Sequence, residues 1–159
     1  MFKQALACTA IVTMLMVNPV IAQQSAPTSK KAQKIEILVR AASGLIESKG
    51  KAAFIEFRKK GSQWFTGDTY LFVYDLNSNV LFNAAFPGLE GTNTTGQKDA
   101  KGKLFNQDFI RAVHSQGAGW VDYMLSKPGQ SQPSQKWVYV TGVSVDGVAG
   151  FVASGFYPK

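Results

Sequence analysis

The sequence predicts an α+β domain: one antiparallel sheet of five short strands, with a long N-terminal helix and shorter helices packed on it. Three observations predict it. An amphipathic stripe at helical spacing fills residues 30–48, an aromatic hairpin spans 70–82, and the stretch from 120 to 157 reads as three strands joined by turns. A chain of 159 residues has room for one domain with a sizeable core. Its 45% hydrophobic and 17% charged content is that of a globular protein, not a disordered one.

The chain opens on an address. Met1-Phe2-Lys3 is a short positive region, and Leu6 to Val17 is apolar but shorter than the roughly 20 residues of a membrane span. Val20-Ile21-Ala22 is a small-residue cleavage site, so residues 1–22 are expected to be a cleaved signal peptide and the protein periplasmic. The single cysteine, Cys8, lies inside that signal, which leaves the mature chain without disulfide, thiol nucleophile or thiolate metal site. Residues 23–33 are polar and read as a flexible linker, with one domain at 34–159.

Each element has its own cue. Ile35, Leu38, Val39, Ala42, Leu45 and Ile46 form one helical stripe, with Thr28 or Ser29 as N-cap and Gly50 as stop. Ala53, Phe54 and Phe57 mark a second short helix between Lys51 and Lys60, closed by Gly61. Tyr70 to Asp75 is a strand, Asn77-Ser78-Asn79 is turn chemistry because Asn tolerates left-handed backbone, and Val80 to Phe82 is the return. Residues 88–102 form a glycine-rich loop without periodicity, long enough to be functional or mobile. A helix follows from Leu104 to Ser115, with Asn106 as N-cap and Phe105, Phe109, Ile110 and Val113 as its apolar face. Strands are expected at 120–125, 135–145 and 148–157, the last two joined by Asp146-Gly147.

The formal net charge of +7 favours anionic partners. The basic residues are spread singly, the densest cluster being Lys30, Lys31 and Lys34 with Arg40 beyond, and this argues against nucleic acid. Enzymatic signals are missing. His114 is alone near a helix end, no serine sits in a nucleophile elbow, and no glycine-rich phosphate loop joins a strand to a helix. Lys98-Asp99-Ala100-Lys101-Gly102 has too few carboxylates for a calcium loop and reads as a turn. The sequence therefore implies no enzyme, no cofactor and no metal.

Six stretches carry a resemblance: Gly67-Asp-Thr-Tyr-Leu-Phe-Val-Tyr-Asp75, Pro87-Gly-Leu-Glu-Gly91, Lys98-Asp-Ala-Lys-Gly-Lys103, Gly119-Trp-Val-Asp-Tyr123, Gln135-Lys-Trp-Val-Tyr-Val140 and Ser154-Gly-Phe-Tyr157. In this order and spacing they resemble the Cache domains, specifically the single-domain type 2 (sCache_2) sensors. The resemblance covers about residues 35–157. It implies a PAS-like antiparallel sheet with a long N-terminal helix along it, and recognition of a small extracytoplasmic ligand, in many members a carboxylate such as acetate, propionate, pyruvate or lactate. The chain departs from the family in two places. Asn83-Ala84 stands where many members have His-Pro, and Leu125 where many have an aromatic residue after the Asp-Tyr pair. Most members are the sensor part of a membrane receptor, whereas here the chain ends with the domain, which implies a module without its own output.

A buried anion needs a cation or several donors in an apolar pocket. Lys136 opens the apolar strand Lys-Trp-Val-Tyr-Val, where a charge is out of place unless an anion compensates it; the other reading is an edge lysine reaching water. Tyr70, Phe72 and Tyr74 share one strand face, and Tyr74 reads as packing. Trp64, in the loop before that strand, is a lid or plain packing. Trp120 and Asp122 share the face opposite Tyr123, with Asp122 a structural acceptor. By family position Tyr123 is a pocket wall, and Asn83 supplies a donor in place of the family histidine. The expected ligand set is thus Lys136, Tyr70, Tyr123, Asn83, Trp64 and Phe72. The expected function is an exported module that binds a small carboxylate, with a homodimer or a membrane receptor as protein partner. The alternative is a non-binding interaction protein that pairs through the stripe Ile35, Leu38, Val39, Ala42, Leu45 and Ile46.

Overall fold

Ser29 starts the ordered chain by capping. Its Oγ accepts from Ala32 N at 3.1 Å, which satisfies one of the free donors of the first turn. The computed structural model describes residues 26–158, and the expected signal sequence, with Cys8 and the Val20-Ile21-Ala22 site, lies outside them. Helix α1 runs Lys30–Lys49 and stops at Gly50, whose φ of 58° suits glycine. Residues 30–33 therefore belong to the helix and not to a linker, and Ala32 is already buried. A 3₁₀ turn at Gly50–Ala52 leads into the short helix α2 (Ala53–Phe57).

Among the described residues six strands follow, one more than expected: β1 (Phe65–Thr66), β2 (Thr69–Asp75), β3 (Val80–Asn83), β4 (Ala118–Ser126), β5 (Pro133–Val145) and β6 (Val148–Phe156). The added strand is β1, two residues that pair with the start of β2. Every pairing is antiparallel, in the order β1-β2-β6-β5-β4, with β3 also on β2. Helix α3 (Phe105–Gln116) precedes β4.

The turns were legible, though their chemistry differs in detail. Asp146 and Gly147 take φ of 50° and 86° between Val145 and Val148, the two-residue hairpin turn whose twist matches its strands. Between β2 and β3 the left-handed residue is Ser78, with φ 65°, and not an asparagine. Asp75 makes that turn by accepting from Asn77 N and Asn79 N, both at 2.8 Å, and Asn79 Nδ2 donates back to its other oxygen. Asn106 is not the N-cap of α3. That position falls to Leu104 without a side-chain bond, and Asn106 is buried in the first turn, donating to Thr94 O at 3.0 Å.

Register sorts the sheet into two faces. Leu71, Val73, Trp120, Trp137, Tyr139, Val152 and Phe156 face α1. There Trp120 packs on the rings of Trp137, Tyr139 and Phe156, and donates to Glu36 at 2.8 Å. Arg40 donates to the Tyr139 hydroxyl at 2.6 Å. Ile35, Val39, Ala42 and Ile46 are buried here, and Leu38 and Leu45 pack against the same core. The stripe considered as a dimer seam is thus consumed by the protein's own sheet. The second face carries Phe72, Tyr74, Phe151, Val138, Val140, Val121 and Tyr123, and is covered by α3.

Between β5 and β6 the strands leave no room for a side chain at Gly155. A Cβ there would lie 2.3 Å from Trp137 O and 2.7 Å from Val138 Cγ2. Gly155→Ala is expected to destabilise the fold by about 1–3 kcal/mol, read as a lower urea midpoint with an unchanged slope.

Candidate functional site

The site grows from the alternation of β2. Tyr70, Phe72 and Tyr74 project to the α3 side of the sheet and form an aromatic floor. Phe109 of α3 closes over it, with ring centroids 5.9 Å from Phe72, 5.7 Å from Phe151 and 5.6 Å from Tyr123. Phe105 stacks on Tyr123 at 4.3 Å. Between floor, helix and loop lies a cavity of about 40 Å³, lined by Tyr70, Phe72, Tyr74, Asn83, Phe86, Leu89, Gln97, Phe105, Phe109, Tyr123 and Leu125.

The long loop is fixed rather than loose, which explains how Leu89 and Gln97 hold their places in the wall. A 3₁₀ turn at Pro87–Leu89 starts it, and Gly91 N and Val80 N exchange bonds with β3 and Thr92. Buried Thr94 donates to Ser78 O through both N and Oγ1. Asp99 makes the expected turn at Lys98–Gly102, accepting from Lys101 N and Lys103 N, and its second oxygen accepts from Met124 N at 2.9 Å. Burial raises the Asp99 carboxyl, but these bonds outweigh it and hold the pKa below the usual range. Asp122 is a structural acceptor too. It accepts from Lys103 and Gln135, which more than offset its partial burial and lower its pKa.

Lys136 is the unusual group. It is 0% exposed, and its Nζ has no hydrogen-bond partner. The strand register sets it opposite Tyr123. Its Nζ lies 4.0 Å from the Tyr70 ring centre, 5.8 Å from Phe72 and 5.5 Å from Tyr157. Burial pushes the ammonium down to about 7, with the charge of Asp68 working the other way. The reading of an edge lysine that reaches water is therefore excluded. Nζ does not itself border the empty volume; it sits one ring behind it, with Tyr70, Phe72 and Tyr123 as shared wall. The phenols of Tyr70 and Tyr123 are pushed up by burial and stay protonated, so they are donors at neutral pH.

Of the six expected residues, Tyr70, Phe72, Asn83 and Tyr123 line the cavity, and Lys136 backs it. Trp64 does not take part. It packs on Phe57 at 4.9 Å, and Phe57 on Phe82, whose register partner Val73 faces α1. An aromatic residue one position before β1 alternates away from Phe65, which shares the Tyr70 side. Asn83 does more than donate. Its Oδ1 accepts from Ala85 N and Phe86 N at 3.2 and 2.9 Å, shaping the turn that brings Phe86 to the wall. Its amide beside Tyr74 partly counters the burial that raises that phenol. Leu125, noted as a departure, does line the cavity. Gln97, Phe86 and Leu89 also line the cavity, without a local cue that marks them as site residues. The only signal for Gln97 was that its loop is too long to be a mere connection. Among the described residues no cluster of His, Cys, Asp or Glu could hold a metal ion, and no helix is long and apolar enough to cross a membrane.

Comparison with known proteins agrees with this architecture. The dCache_2 family model, described as a Cache domain, matches residues 42–148. The motifs above suggested the single-domain type, and the matching model is instead the double-Cache type 2. A periplasmic sensor domain of a chemotaxis protein superposes with a TM-score of 0.67 at 30% identity, covering 81% of this chain and 95% of that one. A Cache chemosensory domain solved for its carboxylic acid recognition superposes with a TM-score of 0.68 at 28% identity, covering 81% and 94%. The methyl-accepting chemotaxis protein McpP of Pseudomonas putida is 28% identical over 92 residues, 51% of this chain, and the match spans 17% of that relative's length. With two thirds of its length under the family model and a periplasmic sensor domain superposing over 81% of it at 30% identity, the chain belongs to the Cache domain family.

Proposed function

We propose that this protein is a periplasmic sensor module that binds a short-chain monocarboxylate in the cavity beside Lys136, without catalysis. One observation carries the reading: a fully buried lysine with no hydrogen-bond partner, set behind the wall of an aromatic cavity. An unpaired charge in such a place costs stability, and a carboxylate removes the cost. This reading requires the four-carbon stem to carry Nζ past the Tyr70 ring, 4.0 Å away, when the acid binds. The size points the same way: a cavity of about 40 Å³ is small and favours the smallest acids, acetate before pyruvate or lactate. The tyrosine phenols and the Gln97 amide remain as neutral donors for the second carboxylate oxygen or a 2-oxygen substituent.

Thermal denaturation with acetate, propionate, pyruvate and lactate tests this. At a hundredfold excess over its dissociation constant a bound acid adds about 2.7 kcal/mol of stability, a readily visible rise in Tm. If none of the four raises Tm at millimolar concentration, the proposal is wrong.

A further inference from the structure

We infer that Asn83 is a positioning residue that makes the Tyr74 phenol a dedicated donor to the ligand, so that the cavity selects a carboxylate over the amide of the same shape. The inference rests on the reading that the cavity takes short carboxylates, and it adds the pair of residues that enforces the choice.

The turn after β3 decides how Asn83 is oriented. Its Oδ1 accepts from Ala85 N at 3.2 Å and from Phe86 N at 2.9 Å, which excludes the flipped amide and leaves Nδ2 on the other side. The backbone is held too, since Asn83 N donates to Glu90 Oε1 at 3.0 Å and Asn83 stands opposite Phe72 in the sheet. That register sets Asn83 diagonal to Tyr74, and both line the cavity. Nδ2 acts on the Tyr74 phenol as a donor, opposing the effect of burial.

An amide nitrogen of this kind donates and does not accept. The Tyr74 oxygen beside it takes the acceptor role, and the phenol hydrogen turns elsewhere. The ring is fixed between Phe72 at 5.4 Å and Phe151 at 5.7 Å, so the O–H torsion is the freedom left. Tyr74 is buried, and the open space it borders is the cavity, so its hydrogen points there. A carboxylate only accepts, and its charge strengthens the bond it receives. The isosteric amide offers a neutral oxygen and a nitrogen with no lone pair for this donor.

Calorimetry with acetate and acetamide tests the inference on the parent, Tyr74→Phe, Asn83→Asp and the double variant at neutral pH. The parent is expected to prefer acetate. Tyr74→Phe should lower acetate affinity by about tenfold to a hundredfold and acetamide affinity much less. In Asn83→Asp one oxygen keeps the two backbone bonds, while the introduced carboxylate draws the Tyr74 hydrogen away from the cavity and also repels the anion. In the Tyr74→Phe background only the repulsion remains, so the same exchange should cost less acetate affinity there than in the parent. Equal costs in the two backgrounds, or a Tyr74→Phe protein that keeps the parent's acetate-to-acetamide ratio, overturn the inference. If Asn83→Asp fails to fold, that ratio in Tyr74→Phe decides. A parent that binds acetate while Tyr74→Phe binds it equally well sinks only the role of this pair, whereas a parent that binds no short acid sinks the carboxylate reading and the inference with it.

Discussion

Lys136→Met is expected to make the ligand-free protein more stable and to abolish its response to carboxylates. The two effects share one cause. In the ligand-free fold Nζ is fully buried without a partner, so the side chain contributes a desolvation cost that nothing offsets except ring faces. Methionine has a similar length, fills irregular apolar space and removes the charge. Replacing buried ionic groups with apolar ones of similar volume often stabilises by about 1–4 kcal/mol, and a rise in Tm of the free variant is expected here. Binding moves the opposite way. Removing one member of a buried charge pair costs about 2–5 kcal/mol of affinity, which is roughly 30-fold to several thousandfold. Calorimetry with the best of the four acids, beside denaturation of both free proteins, measures the two changes together. A variant that is less stable than the parent and binds equally well would mean that Lys136 is a packing residue.

Much of the fold was legible because local chemistry and global packing agree. The stripe on α1, the Asp146-Gly147 turn and the alternation of β2 each specify one structure from neighbouring residues. The misreadings arise where a residue's role is set from a distance. Asn106 has the right type for an N-cap, yet Thr94 O on the preceding loop claims its amide. Trp64 is aromatic and close to Tyr70 in sequence, but strand alternation sends it to Phe57 on the other face. Lys136 was visible as a charge in an apolar strand. Its lack of any partner could be known only once Tyr70 and Tyr157 were placed beside it. Gln97 was legible only as part of an overlong loop, since its place depends on Thr94 and Asp99 anchoring that loop at both sides. Leu125 and Asn83 show the reverse. Their places at the cavity followed from the resemblance, while what they do there, an apolar wall and a turn-shaping acceptor, needed the hydrogen bonds.

Between pH 7 and about 9.5, the stability of the free protein and its affinity for a carboxylate are expected to change in opposite directions. In the fold, burial holds the Lys136 ammonium at about 7, against an ordinary value of 10.5. Above pH 7 the folded state releases this proton while the unfolded chain keeps it, so stability rises with pH across the window. Below pH 7 both states carry the proton, and the desolvation cost, on the order of several kcal/mol, stands in full. The phenols of Tyr70, Tyr123 and Tyr157 are raised by burial. They stay protonated in the fold after the unfolded chain has lost them, which lowers stability only near pH 10 and above. Depressed carboxyls such as Asp99 and Asp122 act in the acid range, where stability falls as they are protonated. The interval between belongs to Lys136 among these groups. A carboxylate prefers the ammonium form, so its affinity is greatest below pH 7 and falls by about tenfold per unit above it. The measurement is Tm against pH for parent and Lys136→Met, with and without acid. The parent should gain on the variant as pH rises while its ligand-induced shift shrinks, because the same proton that costs the empty fold its stability is the one the bound anion requires. A parent-minus-variant difference that stays flat from pH 6 to 9.5 would show that Lys136 keeps its charge throughout, and that the rings of Tyr70, Phe72 and Tyr157 solvate it well enough to need no anion.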